Sequence, residues 1–284
     1  MTPRRSIISE VFLILVAALW ILPVLWSVYL AFRPLEETNK YGYVSWPRSL
    51  TLQNFRDAWT QGSVLHYFVN SLWITIPAVV LTLLLSSALA FVIARLRYRW
   101  TLPLLLVFTA GNLLPQQVFL APLFKIYNSV GLPTWLADSG KLYDSTFGLV
   151  VINVAFQLGF CVFVLANFMK TVPASIQEAA IVDGAGIWTQ YWRITLPLCR
   201  PALAAMATLL TIWIYNDFFW ALALISTGDK YPITTALNDL KGQYAVDNNL
   251  LAAGALIVAA PTLVVYLVLQ RHFIAGLTLG STKE

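Results

Sequence analysis

Charge is scarce in this sequence. Asp, Glu, Lys and Arg together make up 11% of 284 residues, against about 25% in a soluble globular chain. That shortage excludes an ordinary water-soluble domain. Cysteine and histidine are scarcer still, at two each. Cys161 and Cys199 fall in and beside apolar runs, where a disulfide has no place. His66 and His272 are far apart in sequence, so no metal-ligand cluster with recognisable spacing exists. No G-x-x-x-x-G-K-[ST] phosphate loop occurs. No nucleophile, acid–base pair or metal set of an enzyme stands out either.

What is present is oil. Hydrophobic residues make up 59% of the chain, and mean hydropathy is +0.72. A spanning helix needs about 20 apolar residues. Six runs qualify: Val11–Phe32, Tyr67–Ala94, Thr101–Phe124, Thr146–Phe168, Pro201–Ile225 and Leu250–Gln270. They are continuous rather than alternating, which argues against a β-barrel. The expectation is an all-α integral membrane protein, a single transmembrane domain over residues 1–284 with six spans. The first run is longer than a signal-peptide core and lacks a small-x-small cleavage site, so it reads as a retained anchor.

Orientation follows from lysine and arginine. One set of loops carries Arg4, Arg5, Arg95, Arg97, Arg99, Lys170, Arg193, Arg200, Arg271 and Lys283, against only Glu10, Glu178, Asp183 and Glu284. Acids and bases balance in the opposite loops. Both termini, including a tail over 271–284, are therefore expected on the cytoplasmic side. This topology accounts for the basic pI of 9.2 without nucleic-acid binding.

The loops are unequal. The first outer one, 33–66, is rich in Tyr41, Tyr43, Trp46 and Trp59. It reads either as an aromatic belt on lipid headgroups or as a folded cap that meets another protein. The third outer loop, Ser226–Asn249, is polar. The segment 170–200, between spans four and five, is longer than a helix link needs.

Inside it lies EAAIVDGAGIWTQYWRITLPL, Glu178 to Leu198. Ser175 and Glu178 have capping-box spacing. A short helix through Ala179 and Ala180 would end at Gly184 and Gly186, which permit a sharp turn. A second helical segment, 187–195, would expose Trp188, Tyr191, Trp192 and Thr195 on one face. Pro197 would redirect the chain into the fifth span. The product is a helix–turn–helix at the cytoplasmic surface. It either rests on lipid or docks a cytosolic partner; only Arg193 flanks the aromatic face, which favours docking.

Within the spans, Asp217 is the lone acid. Trp213, Asn216, Asp217 and Trp220 follow i, i+3, i+4, i+7 spacing and would share a helix face. Asn112 with Gln116, and Asn153 with Gln157, are i, i+4 pairs. An intramembrane acid usually faces a bundle interior or watery cavity. Indoles beside amides and a carboxylate suit a sugar. Packing against a second subunit explains the same residues, as does interhelical hydrogen bonding. No Lys or Arg lies deep in a span, which favours a neutral solute over an anionic one.

The 178–198 stretch resembles the signature of inner-membrane subunits of bacterial ABC importers: Glu-Ala-Ala, three residues, Gly, nine residues, Ile-x-Leu-Pro. Here these are Glu178, Ala179, Ala180, Gly184, Ile194, Leu196 and Pro197, with Asp183 beside the turn. The whole chain looks most like the carbohydrate branch, in particular the smaller maltose-type permease subunit. The resemblance implies a multi-pass protein of the bacterial cytoplasmic membrane, with a second permease subunit, two ATPase subunits and an extracytoplasmic solute-binding protein as partners. The glycine-broken loop would seat in the ATPase. Gly276, Leu277 and Thr278 of the tail would also contact it. ATP and magnesium would sit in that partner, with no cofactor in this chain. A permease for a glycerol phosphate ester and an ion-coupled secondary transporter remain alternatives, although the latter would rest on Asp217 alone.

Overall fold

The computed structural model describes residues 7–95, 101–111, 114–237 and 247–278. Among these, regular structure is helical, apart from an isolated antiparallel bridge between Gly131 and Lys141. Among the described residues, four helices are long and apolar enough to cross a bilayer: Ser9–Ala31, Val64–Arg95, Thr146–Thr171 and Asn248–Val268. They correspond to the first, second, fourth and sixth expected runs.

The other two expected runs are broken. The third forms a helix over Thr101–Gly111, a 3-10 turn over Gln116–Phe119 and a helix over Leu120–Ser129. Pro115 precedes the 3-10 turn, where its missing N–H and its restriction of the preceding residue stop an α-helix. The fifth run is helical over Arg200–Tyr215 and again over Phe219–Leu224. Asn216 and Asp217 explain the gap, because short polar side chains compete for backbone partners. Asn216 Nδ2 donates back to the Ile212 carbonyl at 2.8 Å, and Trp220 N donates to Asp217 Oδ1 at 3.2 Å.

The chain divides into two compact units. The first comprises Met1–His66 and Ala236–Pro261. Its 33–66 segment is folded, with short helices Leu35–Tyr41 and Gln53–Gln61. Arg33 is fully buried and organises it. Its guanidinium donates to the Tyr29 hydroxyl, the Gly42 carbonyl and the Ser45 hydroxyl, and pairs with Glu37 at 3.4 Å. Glu37 in turn accepts from Arg48 N, Ser49 N and Ser49 Oγ. Backbone donation from Arg48 is the strongest influence holding its carboxyl below the usual range. Asn54 and Asn249 both donate to the Arg33 carbonyl. A buried charge needs partners close by, and those of Arg33 come from the loop itself, so this hub requires a folded cap rather than a loose belt. Trp46 and Val44 project from it, exposed.

The second unit comprises Tyr67–Thr235 and Thr262–Glu284. Its core holds Ala78, Phe91, Leu149, Cys161, Leu165, Met169 and Leu210. Ser145 caps the helix Thr146–Thr171 by accepting from Gly148 N. The preceding residue, Asp144, has φ +57° and ties down the segment 226–230. Its carboxylate accepts from Ser226 N, Thr227 N and Thr227 Oγ1, and pairs with Lys230 at 3.3 Å. On the other side of that segment, Asn70 Nδ2 donates to the carbonyls of Asp229 and Tyr231.

Candidate functional site

Two features carry the chemistry, both in the second unit. The first is a cavity of about 590 Å³. The two broken helices create it. Gln116 enters from the 3-10 turn; Asn153 and Gln157 come from successive turns of Thr146–Thr171; Trp213 and Asn216 come from the end of Arg200–Tyr215. Asp217 and Trp220 lie at and beyond its break. Seven of the eight path residues expected from sequence therefore line one cavity, and Asn112 lies outside the described residues. Their shared helix face does not exist, because the helix stops at Tyr215. Convergence comes instead from the break, which turns Asp217 off the helix end.

Asp217 is held at three points. Oδ1 accepts from Trp220 N at 3.2 Å, Oδ2 accepts from Asn153 Nδ2 at 3.2 Å, and the backbone carbonyl accepts from Thr234 Oγ1 at 2.9 Å. The carboxylate thus sits at the N-terminus of Phe219–Leu224, where unpaired N–H groups favour negative charge. Aromatic rings complete the wall. Trp220 is buried between Phe156 and Phe219, each with its centroid 4.9 Å away. Trp213, 42% exposed, leans on Phe160. Sequence reading missed Phe156, Phe218 and Phe219 as cavity residues. Phe156 could have been found, since it lies between Asn153 and Gln157.

The second feature is the 174–198 hairpin. Its first helix is Ala174–Val182, its second Ile187–Leu198. Ser175 is not the cap: Pro173 occupies that position with no side-chain hydrogen bond, and the helix already contains Ser175. With Pro173 at the cap, Ser175 lies two positions too far in to accept from the first N–H groups, and proline offers no N–H for a reciprocal side-chain bond. The turn is as expected. Gly184 has φ +78°, Gly184 N donates to the Ile181 carbonyl, and Ala185 N donates to the Ala180 carbonyl. This pair of bonds is the Schellman closure. Gln190 locks the two arms, donating to the Ala185 carbonyl at 2.8 Å and accepting from Gln177 Nε2 at 3.0 Å.

The second arm differs from expectation. Residues Gln190–Thr195 wind as a π-helix, and the wider turn rotates the aromatic stripe. Trp188 and Trp192 are exposed, at 72% and 50%, whereas Tyr191 and Thr195 are buried. Tyr191 packs on Phe91 with centroids 5.4 Å apart and hydrogen-bonds Ser87 at 2.8 Å. Half the stripe anchors the hairpin and half faces outward with Ile181, Val182 and Ile187. Among the signature residues, Glu178, Ala179, Asp183 and Gly184 are exposed on the hairpin, Ala180 is buried, and Ile194, Leu196 and Pro197 are half-buried. The chain bends by 74° between Ile187–Leu198 and Arg200–Tyr215, at Cys199 rather than at Pro197. Gly276, Leu277 and Thr278 form the end of the helix Asn248–Thr278, which runs beyond the expected sixth span.

A glycine-turned hairpin followed by a bent helix entry, in a chain of apolar spans, matches a known pattern. The family model for the inner membrane component of binding-protein-dependent transport systems covers residues 62–278. The chain belongs to that family. A diacetylchitobiose uptake system permease protein of Streptomyces coelicolor is 30% identical over 99% of this chain and 90% of its own length. An arabinooligosaccharides transport system permease protein of Halalkalibacterium halodurans is 29% identical over 94% of this chain and 93% of its own. A chain in the crystal structure of a bacterial ABC transporter involved in import of the acidic polysaccharide alginate shares the fold, with TM-score 0.79 at 20% identity over 94% of this chain and 96% of that one. As a family member, the chain is a multi-pass membrane protein and a transport permease.

Proposed function

We propose that this chain is one permease half of an ATP-driven importer for a neutral sugar or oligosaccharide. Six spans cross the bacterial cytoplasmic membrane, two of them broken, with both termini inside. The cavity around Asp217 forms part of the solute path. The hairpin 174–198 seats in an ATPase subunit, and the C-terminal Gly276, Leu277 and Thr278 add a second contact. A second permease subunit, two ATPases that hold ATP and magnesium, and a solute-binding protein complete the assembly; this chain itself carries no cofactor and no catalytic role.

The observation that carries the reading is the hairpin. It is internally locked by Gln190, closed by Gly184, anchored by Tyr191, and still presents Trp188, Ile181 and Val182 outward. Exposed apolar surface on a rigid knob supports a protein seat, and rigidity is what two-state coupling requires. The 74° bend supports a segment lying along the membrane surface. For the solute, carboxamides and rings around one cavity, and relatives named for saccharides, support a sugar.

The test is purification of the intact complex, followed by measurement of which sugar-loaded binding protein stimulates its ATP hydrolysis. Stimulation by a neutral saccharide supports the reading. Uptake driven by a proton or sodium gradient, in vesicles without ATPase partners, overturns it.

A further inference from the structure

Among the described residues, the cavity wall carries one acidic side chain and no cationic one. Among its described lining residues are one carboxylate, Asp217, the carboxamides Gln116, Asn153, Gln157 and Asn216, and aromatic and aliphatic side chains; none is Lys or Arg. Both carboxyl oxygens accept from neutral N–H donors, Trp220 N and Asn153 Nδ2, and hydrogen bonds of this kind stabilise the ionised form. Asn153 has little more to offer, since the same amide nitrogen also donates to the Leu149 carbonyl at 3.0 Å. Neutral dipoles orient the charge without cancelling it. A carboxylate has about four lone-pair directions, so acceptor capacity remains for a ligand.

The surroundings strengthen its field. Phe156, Phe219 and Trp220 form low-dielectric walls, and apolar walls focus the potential of a charge into a cleft. Trp213 adds a half-exposed ring face, which attracts cations and the polarised C–H face of a sugar and repels anions. Two independent features therefore select in the same direction.

We infer that Asp217 is the charge-selecting residue of the cavity. It admits donor-rich saccharides that are neutral or carry an amine, and it turns away acidic ones such as uronates. This rests on the reading of the cavity as the solute path.

Thiol chemistry in the assembled complex tests it. Cys161 and Cys199 are both fully buried, so a single reporter, Asn216→Cys, can be read against them. Its reaction rate is measured with three size-matched methanethiosulfonates (trimethylammonium, neutral and sulfonate), each normalised to a free thiol in solution. The expected result is a cation-to-anion rate ratio of at least about tenfold, retained in Asp217→Glu and falling several-fold in Asp217→Asn, with Trp213 supplying what remains. Equal cationic and anionic rates in the parent, or a ratio unchanged by Asp217→Asn, overturn the assignment. A second arm measures uptake of diacetylchitobiose, its amine form and a uronate disaccharide, before and after labelling with the neutral reagent. Preference for the neutral and amine forms, with uptake blocked by the label, supports selection by the cavity. Uptake of diacetylchitobiose that survives full labelling overturns the solute-path reading, whereas a charge ratio retained in that same sample still locates the field at Asp217.

Discussion

The Tyr191 and Ser87 hydroxyls lie 2.8 Å apart in the core of the second unit. Ser87 Oγ also donates to the Leu84 carbonyl at 3.1 Å. Its single proton is thereby used, so Tyr191 is the donor and Ser87 the acceptor. One buried bond thus joins the hairpin's second arm to the helix Val64–Arg95.

Removing that bond should loosen coupling more than folding. Tyr191→Phe keeps the ring on Phe91 and forfeits about 1 kcal/mol. Ser87 keeps its bond to Leu84, so no buried donor is stranded. The expected outcome is normal assembly with ATP hydrolysed per solute imported raised roughly fivefold, the factor equivalent to about 1 kcal/mol of coupling. An unchanged ratio in proteoliposomes would count against transmission through Tyr191.

Gly184 is the second weak point. Its φ of +78° is open to glycine, and a side-chain carbon at this position would meet no atom within 4 Å, so substitution acts through backbone strain rather than a clash. A β-branched residue in that region costs about 1–2 kcal/mol. Gly184→Val should distort the Schellman closure and abolish ATP-dependent uptake while the protein still inserts. Gly184→Asn, which tolerates the left-handed region, should retain most uptake. Equal uptake in all three forms at equal protein level refutes the role given to the turn.

The Asp144 network has a signed pH dependence. Partial burial raises its pKa, but donation from the Thr227 side chain, the Thr227 and Ser226 N–H groups and the Lys230 charge outweigh that and hold it at about 2. A depressed carboxylate stabilises the fold above its unfolded value of about 3.9, and this contribution is lost as pH falls through the folded value near 2. Asp144→Asn keeps the positive φ of +57°, which asparagine accepts. It should lower thermal stability of the purified complex by about 1–3 kcal/mol above pH 4. The gap to the parent should close as pH approaches 2, by differential scanning fluorimetry; a gap independent of pH would show that the charge plays no part.

Trp213 supplies the half-exposed ring of the cavity. Trp213→Ala removes a stacking surface worth about 1 kcal/mol and should raise the KM for sugar uptake roughly fivefold. Trp213→Phe should fall between. An unchanged KM in Trp213→Ala would remove the ring from the solute path.

Parts of this architecture were legible before folding was considered. Gly184 could be read as a turn because one residue's backbone freedom decides it. Tyr191 could not be assigned correctly, since ideal 3.6-residue spacing groups it with Trp188 and Trp192, and the π-helical winding of Gln190–Thr195 turns it inward. The capping box at Ser175 failed for a local reason: the helix is capped at Pro173, two residues earlier, so Ser175 falls inside it. For the cavity, residue types were legible and geometry was not. Asp217 stood out as an acid in an apolar run, yet its placement depends on a helix break stabilised by its own side chain.

The amino-acid sequence alone determined the class of molecule, the position of the hairpin and the chemical character of the cavity lining. Each follows from composition or from near neighbours: long apolar runs need a bilayer, glycine permits the turn, and polar residues in oil must have a purpose. Tertiary structure alone decided which aromatic rings face outward, which groups pair with Arg33, and that residues from three separate chain segments close around one cavity. Those outcomes depend on contacts between positions far apart in the chain. Breaks at Pro115 and Asn216–Asp217 re-aim the flanking side chains, and only packing specifies what they then meet.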